Sequence, residues 1–150
     1  MPPGQPPNTP QTVPVEQALE MAMGHHGAGR LSEAEDIYRQ ILAADPNQPQ
    51  AMHLLGVVAH QLGRSDIAEG MIVKSVSLDP KNPESHSNLG LVRIALGKIE
   101  EAISSFQEAV ELQPDYAEAQ CNLGLALHNI GRLEDAIPCY QKALALRPDL

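Results

Sequence analysis

The sequence predicts an all-α fold, a solenoid of four antiparallel helical hairpins, and three observations carry that prediction. The first is a period of 34 residues: Pro46, Pro80, Pro114 and Pro148 share one column, Gly29, Gly63, Gly97 and Gly131 a second, and Ala34, Ala68, Ala102 and Ala136 a third. The second is that apolar residues recur at helical spacing in two stretches per period, split at the Gly and closed at the Pro. The third is composition: 43% of residues are hydrophobic but only 3% aromatic, with no Trp, so the core is built from Leu, Ile, Val, Ala and Met. Side chains of that size suit helices packed close together, and a fixed period of this length marks stacked supersecondary units.

Taken in order, residues 1–14, "MPPGQPPNTPQTVP", hold six of the 13 prolines and no periodic apolar face, which predicts a disordered or polyproline tail. The repeat domain then spans 15–150 as units 15–48, 49–82, 83–116 and 117–150. Unit one departs most, with Met21-Ala22 where the others have Leu55-Gly56, Leu89-Gly90 and Leu123-Gly124, and reads as a modified end cap. Each Gly of the 29, 63, 97, 131 column can end a first helix in the left-handed conformation. Ser32 with Glu35 has the spacing of a capping box for the helix that follows. Asp45, Asp79, Gln113 and Arg147 precede proline and are pushed out of the helical region, closing each second helix. Asn47, Asn82 and Asp115 are the expected caps of the next first helices, with Pro49 and Pro83 in their first turns.

Gly56, Gly90 and Gly124 lie inside first helices, where glycine is unfavourable, and Ala68, Ala102 and Ala136 lie inside second helices. A close approach between paired helices explains both, with Tyr38, Ile72, Phe106 and Tyr140 wedged beside the contact. Pro138 falls early in the last helix and predicts a small bend without a break. Ile137, Leu144 and Leu146 predict an apolar face on that helix, covered either by further chain beyond Leu150 or by self-association.

Ten basic against 19 acidic residues give a formal net charge of -9 with no Lys/Arg cluster, which disfavours nucleic acid as a partner. No apolar run approaches the roughly 20 residues of a transmembrane helix, and the N-terminus lacks a signal-peptide pattern. Cys121 and Cys139 form no CxxC pair and read as free thiols in a reducing, cytoplasmic setting.

The pattern Leu-Gly, Ala-x-x-x-aromatic and Pro at a period of 34, clearest in "SNLGLVRIALGKIEEAISSFQEAVELQPDY" and "CNLGLALHNIGRLEDAIPCYQKALALRPDL", resembles the tetratricopeptide repeat. The resemblance covers four units and implies a right-handed superhelix whose concave side is lined by first helices and holds a peptide or partner segment. It places Leu19, Met23 and His26 in that groove from unit one, and His53, Leu54, Val57 and His60 from unit two. Units three and four contribute Glu84, Asn88 and Leu91, then Glu118, Asn122, Leu125 and His128.

Asn88 and Asn122 are the informative pair, because Asn is a mediocre helix former and each sits mid-helix at the same repeat position. A carboxamide both donates and accepts, so it can pair with a peptide backbone or, equally well, with a neighbouring helix. The arrangement resembles the asparagine ladder of the O-linked N-acetylglucosamine transferase superhelix, shortened because Glu20 and Leu54 occupy the matching places in units one and two. The family's carboxylate clamp of Lys and Arg has no counterpart among these positions. A neutral or basic segment with small apolar side chains is therefore expected over an acidic tail.

The histidines at 26, 60 and 128 repeat in register but stand a full unit or more apart, too far to share one ion at about 2.1 Å, so no metal is expected. A groove gaining charge below about pH 6.5 is the alternative use of these side chains. "MGHHGAGR" at 23–30 follows a helix rather than a strand and lacks the Lys-Ser/Thr of a phosphate loop. With no catalytic motif and no cofactor signature, the chain reads as a protein-interaction scaffold and not an enzyme. Two further readings are the recognition arm of a larger glycosyltransferase-like or sulfotransferase-like enzyme, and a self-assembling scaffold joined through the C-terminal helix face.

Overall fold

The structure, a computed structural model, describes residues 13–150. Of the tail expected over 1–14, only Val13 and Pro14 fall within the described residues. Every regular element there is an α-helix: α1 Val15–Gly27, α2 Leu31–Ala44, α3 Pro49–Gln61, α4 Ser65–Leu78, α5 Pro83–Ala95, α6 Ile99–Leu112, α7 Ala117–Asn129 and α8 Leu133–Leu146. Each first helix packs on its own second helix, and each second helix packs on the next first helix. In addition α3 touches α5 and α5 touches α7. The chain is a solenoid of four hairpins, in which contacts run between neighbours and the first helices crowd together along one edge.

The turns within hairpins follow from one residue. Gly29, Gly63, Gly97 and Gly131 have φ of 79°, 81°, 76° and 82°, a region that L side chains resist. In each case the next residue's N–H returns to the carbonyl five residues back, Arg30 to His25, Arg64 to Ala59 and Lys98 to Arg93 at 2.8 Å and Arg132 to Leu127 at 2.9 Å. This is the Schellman closure, and it uses up carbonyls that the helix end would otherwise strand.

The second helix of unit one begins two residues earlier than a capping box at Ser32 requires. The N-cap of α2 is Arg30, and those of α4, α6 and α8 are Arg64, Lys98 and Arg132, none with a side-chain cap bond. Acidic residues in their first turns, Glu33, Asp66, Glu100 and Glu134 among them, sit favourably at the positive end of the helix dipole.

Between hairpins, Asp45, Asp79, Gln113 and Arg147 all take φ between -136° and -140° with ψ of 86° to 92°, as residues before proline must. Asn82 caps α5 as expected, its Oδ1 accepting the Glu84 N–H at 3.1 Å. Asn47 does not cap α3; its own N–H is bound by Asp45 Oδ1 at 3.2 Å, and Gln48 Oε1 accepts from Ala51 N–H at 2.7 Å instead. Asp115 is likewise displaced by Tyr116, which makes no side-chain cap bond. The amide of Gln48 has one more methylene than Asn47, which lets it reach the turn from one position later. Pro138 is the sixth residue of α8, past the first turn, and the helix runs on to Leu146 without a break.

At the seam inside hairpins two to four the glycines are sterically required. A Cβ on Gly56 would lie 2.7 Å from Ile72 Cγ1, on Gly90 2.5 Å from Phe106 Cε1, and on Gly124 2.8 Å from Tyr140 Cε1. Ala34, Ala68, Ala102 and Ala136 are buried, as are the wedges Tyr38, Ile72 and Phe106. Unit four is the exception. Ile103, under α7, is 5% exposed, but Ile137 in the same column of α8 is 52% exposed and is joined by exposed Leu133, Leu144 and Leu146.

Candidate functional site

The crowded edge is where the predicted groove residues fall, and the structure sorts them into three groups. Met23, Leu91 and Leu125 are exposed, Leu19 and Val57 are half-buried, and these offer apolar contact. Glu84, Glu118 and His128 are exposed, while Asn88, Asn122, His26 and His60 are half-buried. His53 and Leu54 depart from the expectation: both are buried, His53 at 0% exposure, so neither forms the floor of a groove. They point into the stack because α3 is an interior helix, covered by α1 and α2 on one side and by α4 and α5 on the other.

His53 is the partner of Asn88. Asn88 Nδ2 donates to His53 Nε2 at 2.8 Å, joining α5 to α3 across a unit boundary. His53 Nδ1 is buried and has no hydrogen-bond partner among the described residues. Burial pushes the His53 imidazole from its ordinary 6.5 down to about 4, and His26 nearby pushes in the same direction. The ring is therefore neutral at physiological pH and can serve as an acceptor. Asn122, one repeat on, makes no side-chain hydrogen bond among the described residues, and the column of His53 holds Ser87 in the unit before it.

The repeated histidines have structural work. His26 Nδ1 accepts from the Tyr38 hydroxyl at 3.5 Å with the rings edge-on at 78°, and its Nε2 meets Gln61 Oε1 at 2.7 Å. His128 and Tyr140 repeat the hydroxyl contact at 3.5 Å and the edge-on packing at 75°. His60 has Ile72 rather than a Tyr in its unit, and its Nδ1 instead meets Ser65 Oγ at 3.0 Å. Burial raises the Tyr38 phenol to about 12, so it stays a hydroxyl that needs a partner. The sequence carried this signal in the joint occurrence of Tyr and His twelve residues apart in units one and four. Among the described residues no three His, Cys, Asp or Glu side chains gather to hold a metal ion.

The acidic side chains of this edge are not all free. Arg147, from the end of α8, reaches Glu118 Oε1 at 3.3 Å, a cation that reading α7 alone did not reveal. Arg93 and Lys98 both bind Glu69, at 3.2 and 2.7 Å, and Arg93 also donates to Ser105 at 2.9 Å, tying α4, α5 and α6 together. The Glu69 carboxyl is held below its usual range chiefly by the Lys98 hydrogen bond, with Arg93 helping.

Family models described as tetratricopeptide repeat match residues 25–90 and 117–150, and one described as TPR repeat matches 92–131. Together they run from residue 25 to the last residue with a gap only at residue 91. The chain belongs to the tetratricopeptide-repeat family. The fold of this tetratricopeptide-repeat chain matches the crystal structure of MamA with a TM-score of 0.79 at 21% identity over 90% of this chain and 79% of that one. A structure of MamA labelled AMB-1 superposes with a TM-score of 0.72 at 26% identity, over 91% and 74%. A mutant Thermobaculum terrenum O-GlcNAc transferase superposes at 0.74 with 33% identity over 76% of this chain, which spans only 22% of the transferase. Among curated protein sequences no significant match was found.

As a tetratricopeptide-repeat array the chain is a protein-interaction scaffold, and every matching family model is a repeat model rather than that of a catalytic domain. No helix among the described residues is long and apolar enough to cross a membrane.

Proposed function

We propose that the edge lined by first helices holds an extended segment of a protein partner, with Asn88 and Asn122 meeting its backbone and Met23, Val57, Leu91 and Leu125 its small apolar side chains. The single observation that carries this reading is the pair of half-buried amides in one column of touching helices, α5 and α7. Helices packed about 8–10 Å apart and a chain rising about 3.3 Å per residue bring the two amides into register with every third residue of the segment. Exposed Glu84 and a net charge of -9 favour a neutral or basic segment and oppose a nucleic acid. Two free thiols suit a reducing cytoplasm.

Selecting from a random nonapeptide library on the whole chain and titrating the selected peptides against Asn88→Ala plus Asn122→Ala tests the proposal. Affinity should fall by about tenfold or more if each amide makes one or two backbone bonds. Unchanged affinity with a lowered melting temperature would assign both residues to structure. The likeness to the transferase supports a second reading, a substrate-recognition arm of a larger enzyme. The gene decides that point, since the arm reading requires a catalytic domain in the same reading frame.

A further inference from the structure

We infer that the exposed face of α8 docks on the exposed face of α1 in a second copy of this chain, so that the stack of hairpins continues head to tail from one copy into the next. This inference is independent of the groove. Among the described residues α2, α4 and α6 each pack against a following first helix, and α8 has none. Inside the chain, Ile103, Phe106 and Val110 of α6 share one core with Leu123 and Leu127 of α7. One repeat on, the columns of those α6 residues hold Ile137, Tyr140 and Leu144, with Ile137 and Leu144 exposed and Tyr140 half-buried. The other half of the contact is also present. Val15, Ala18 and Met21 of α1 stand in the columns of Ala117, Gln120 and Leu123, which are all buried, and Met21 is 48% exposed where Leu123 is 5%.

The occupant follows from continuity. Every internal boundary joins a second helix to a first helix, and α1 is the first helix with no second helix before it among the described residues. The charges agree: Glu100 and Arg132 line one cleft beside Ile103, and the same step across the joint brings Glu134 of one copy to Arg30 of the next. Gly24 and His25 replace Ala126 and Leu127 in their columns, so the joint is less apolar than the boundary inside the chain and dissociates readily. Because the two faces differ, each copy keeps one of them free after joining, and assemblies grow with concentration instead of stopping at two.

Sedimentation of the whole chain from about 10 μM to about 1 mM tests this, a range suited to a small, reversible contact. The weight-average mass should rise beyond that of a dimer; a monomer mass throughout would overturn the inference. Ile137→Glu and Met21→Glu alter exposed side chains, so each should keep its melting temperature while weakening association about tenfold or more. Mixed together, the two variants should recover a dimer and nothing larger, since each retains the face that the other lacks. Loss of association in Ile137→Glu with none in Met21→Glu would mean that α8 meets α8, and overturns the head-to-tail joint. Should either variant melt early, Leu144→Glu and Val15→Glu, also at exposed positions, carry the same mixing test.

Discussion

At the seam inside the hairpins, Gly56 meets Ile72, Gly90 meets Phe106 and Gly124 meets Tyr140, the same contact three times. Two residues earlier on the same helices, Leu54, Asn88 and Asn122 occupy a single column and share no environment: one is buried, one is bonded to His53, one has no partner among the described residues. In units two to four the seam cannot vary, because a glycine against Ile72, Phe106 or Tyr140 leaves no room for a larger side chain, whereas unit one carries a buried Ala22 in that column. The inner edge can vary, because its side chains end in solvent or on a neighbouring unit. Repetition thus marks what holds the stack together, and departure from repetition marks where one unit differs in what it can bind.

The comparison breaks most visibly at the wedge. Phe106→Ala empties a fully buried site and should cost about 4 kcal/mol, read as the shift in urea midpoint of the whole chain. A loss below about 1 kcal/mol would mean that the seam is not where the stack derives its rigidity. Next in size is the effect of pH on the inner edge. Unfolded chain takes up a proton at His53 near pH 6.5, whereas folded chain resists until about pH 4. The fold's preference for the neutral ring is therefore complete above pH 6.5 and lost as pH falls through that window, on the order of 3 kcal/mol in all. Urea titrations at pH 7 and pH 5 should show this slope in the parent chain and a shallower one in His53→Leu. An identical slope would place the titration elsewhere.

Glycine provides the finer contrast. Gly90→Ala pushes a methyl into a buried ring and should destabilise by about 2 kcal/mol, despite alanine's better helix propensity. Pairing it with Phe106→Leu should restore part of the loss, since the smaller side chain yields space; strict additivity in that double mutant would argue against the contact. Gly70, inside α4, has nothing within 4 Å of where its Cβ would be. Gly70→Ala should therefore raise stability, by under about 1 kcal/mol, seen as a melting temperature a few degrees higher. If both alanines moved stability in the same direction, the distinction between seam and surface would fail.

The repeat, the hairpin turns and the glycine seam were legible residue by residue, because each depends on a local rule: a positive φ that suits glycine, a proline that ends a helix, a missing Cβ that admits a ring. Caps were only partly legible. Asn82 was recognised, but Ser32, Asn47 and Asp115 gave way to Arg30, Gln48 and Tyr116, since a shift of one or two residues in a helix start changes which side chain can reach.

By itself the sequence determined the architecture of this chain, the period of its units and the columns on which candidate groove residues stand. Tertiary structure alone decided which of those residues are accessible. His53 and Leu54 share the helix face of Val57 yet are buried, and Glu118 meets an arginine 29 residues away. The reason is physical: periodicity states which side of a helix a residue is on, whereas burial and pairing depend on what the adjacent helices bring to that side. The bond from Asn88 to His53 exists only because α5 lies against α3, and no property of either residue in isolation announces it.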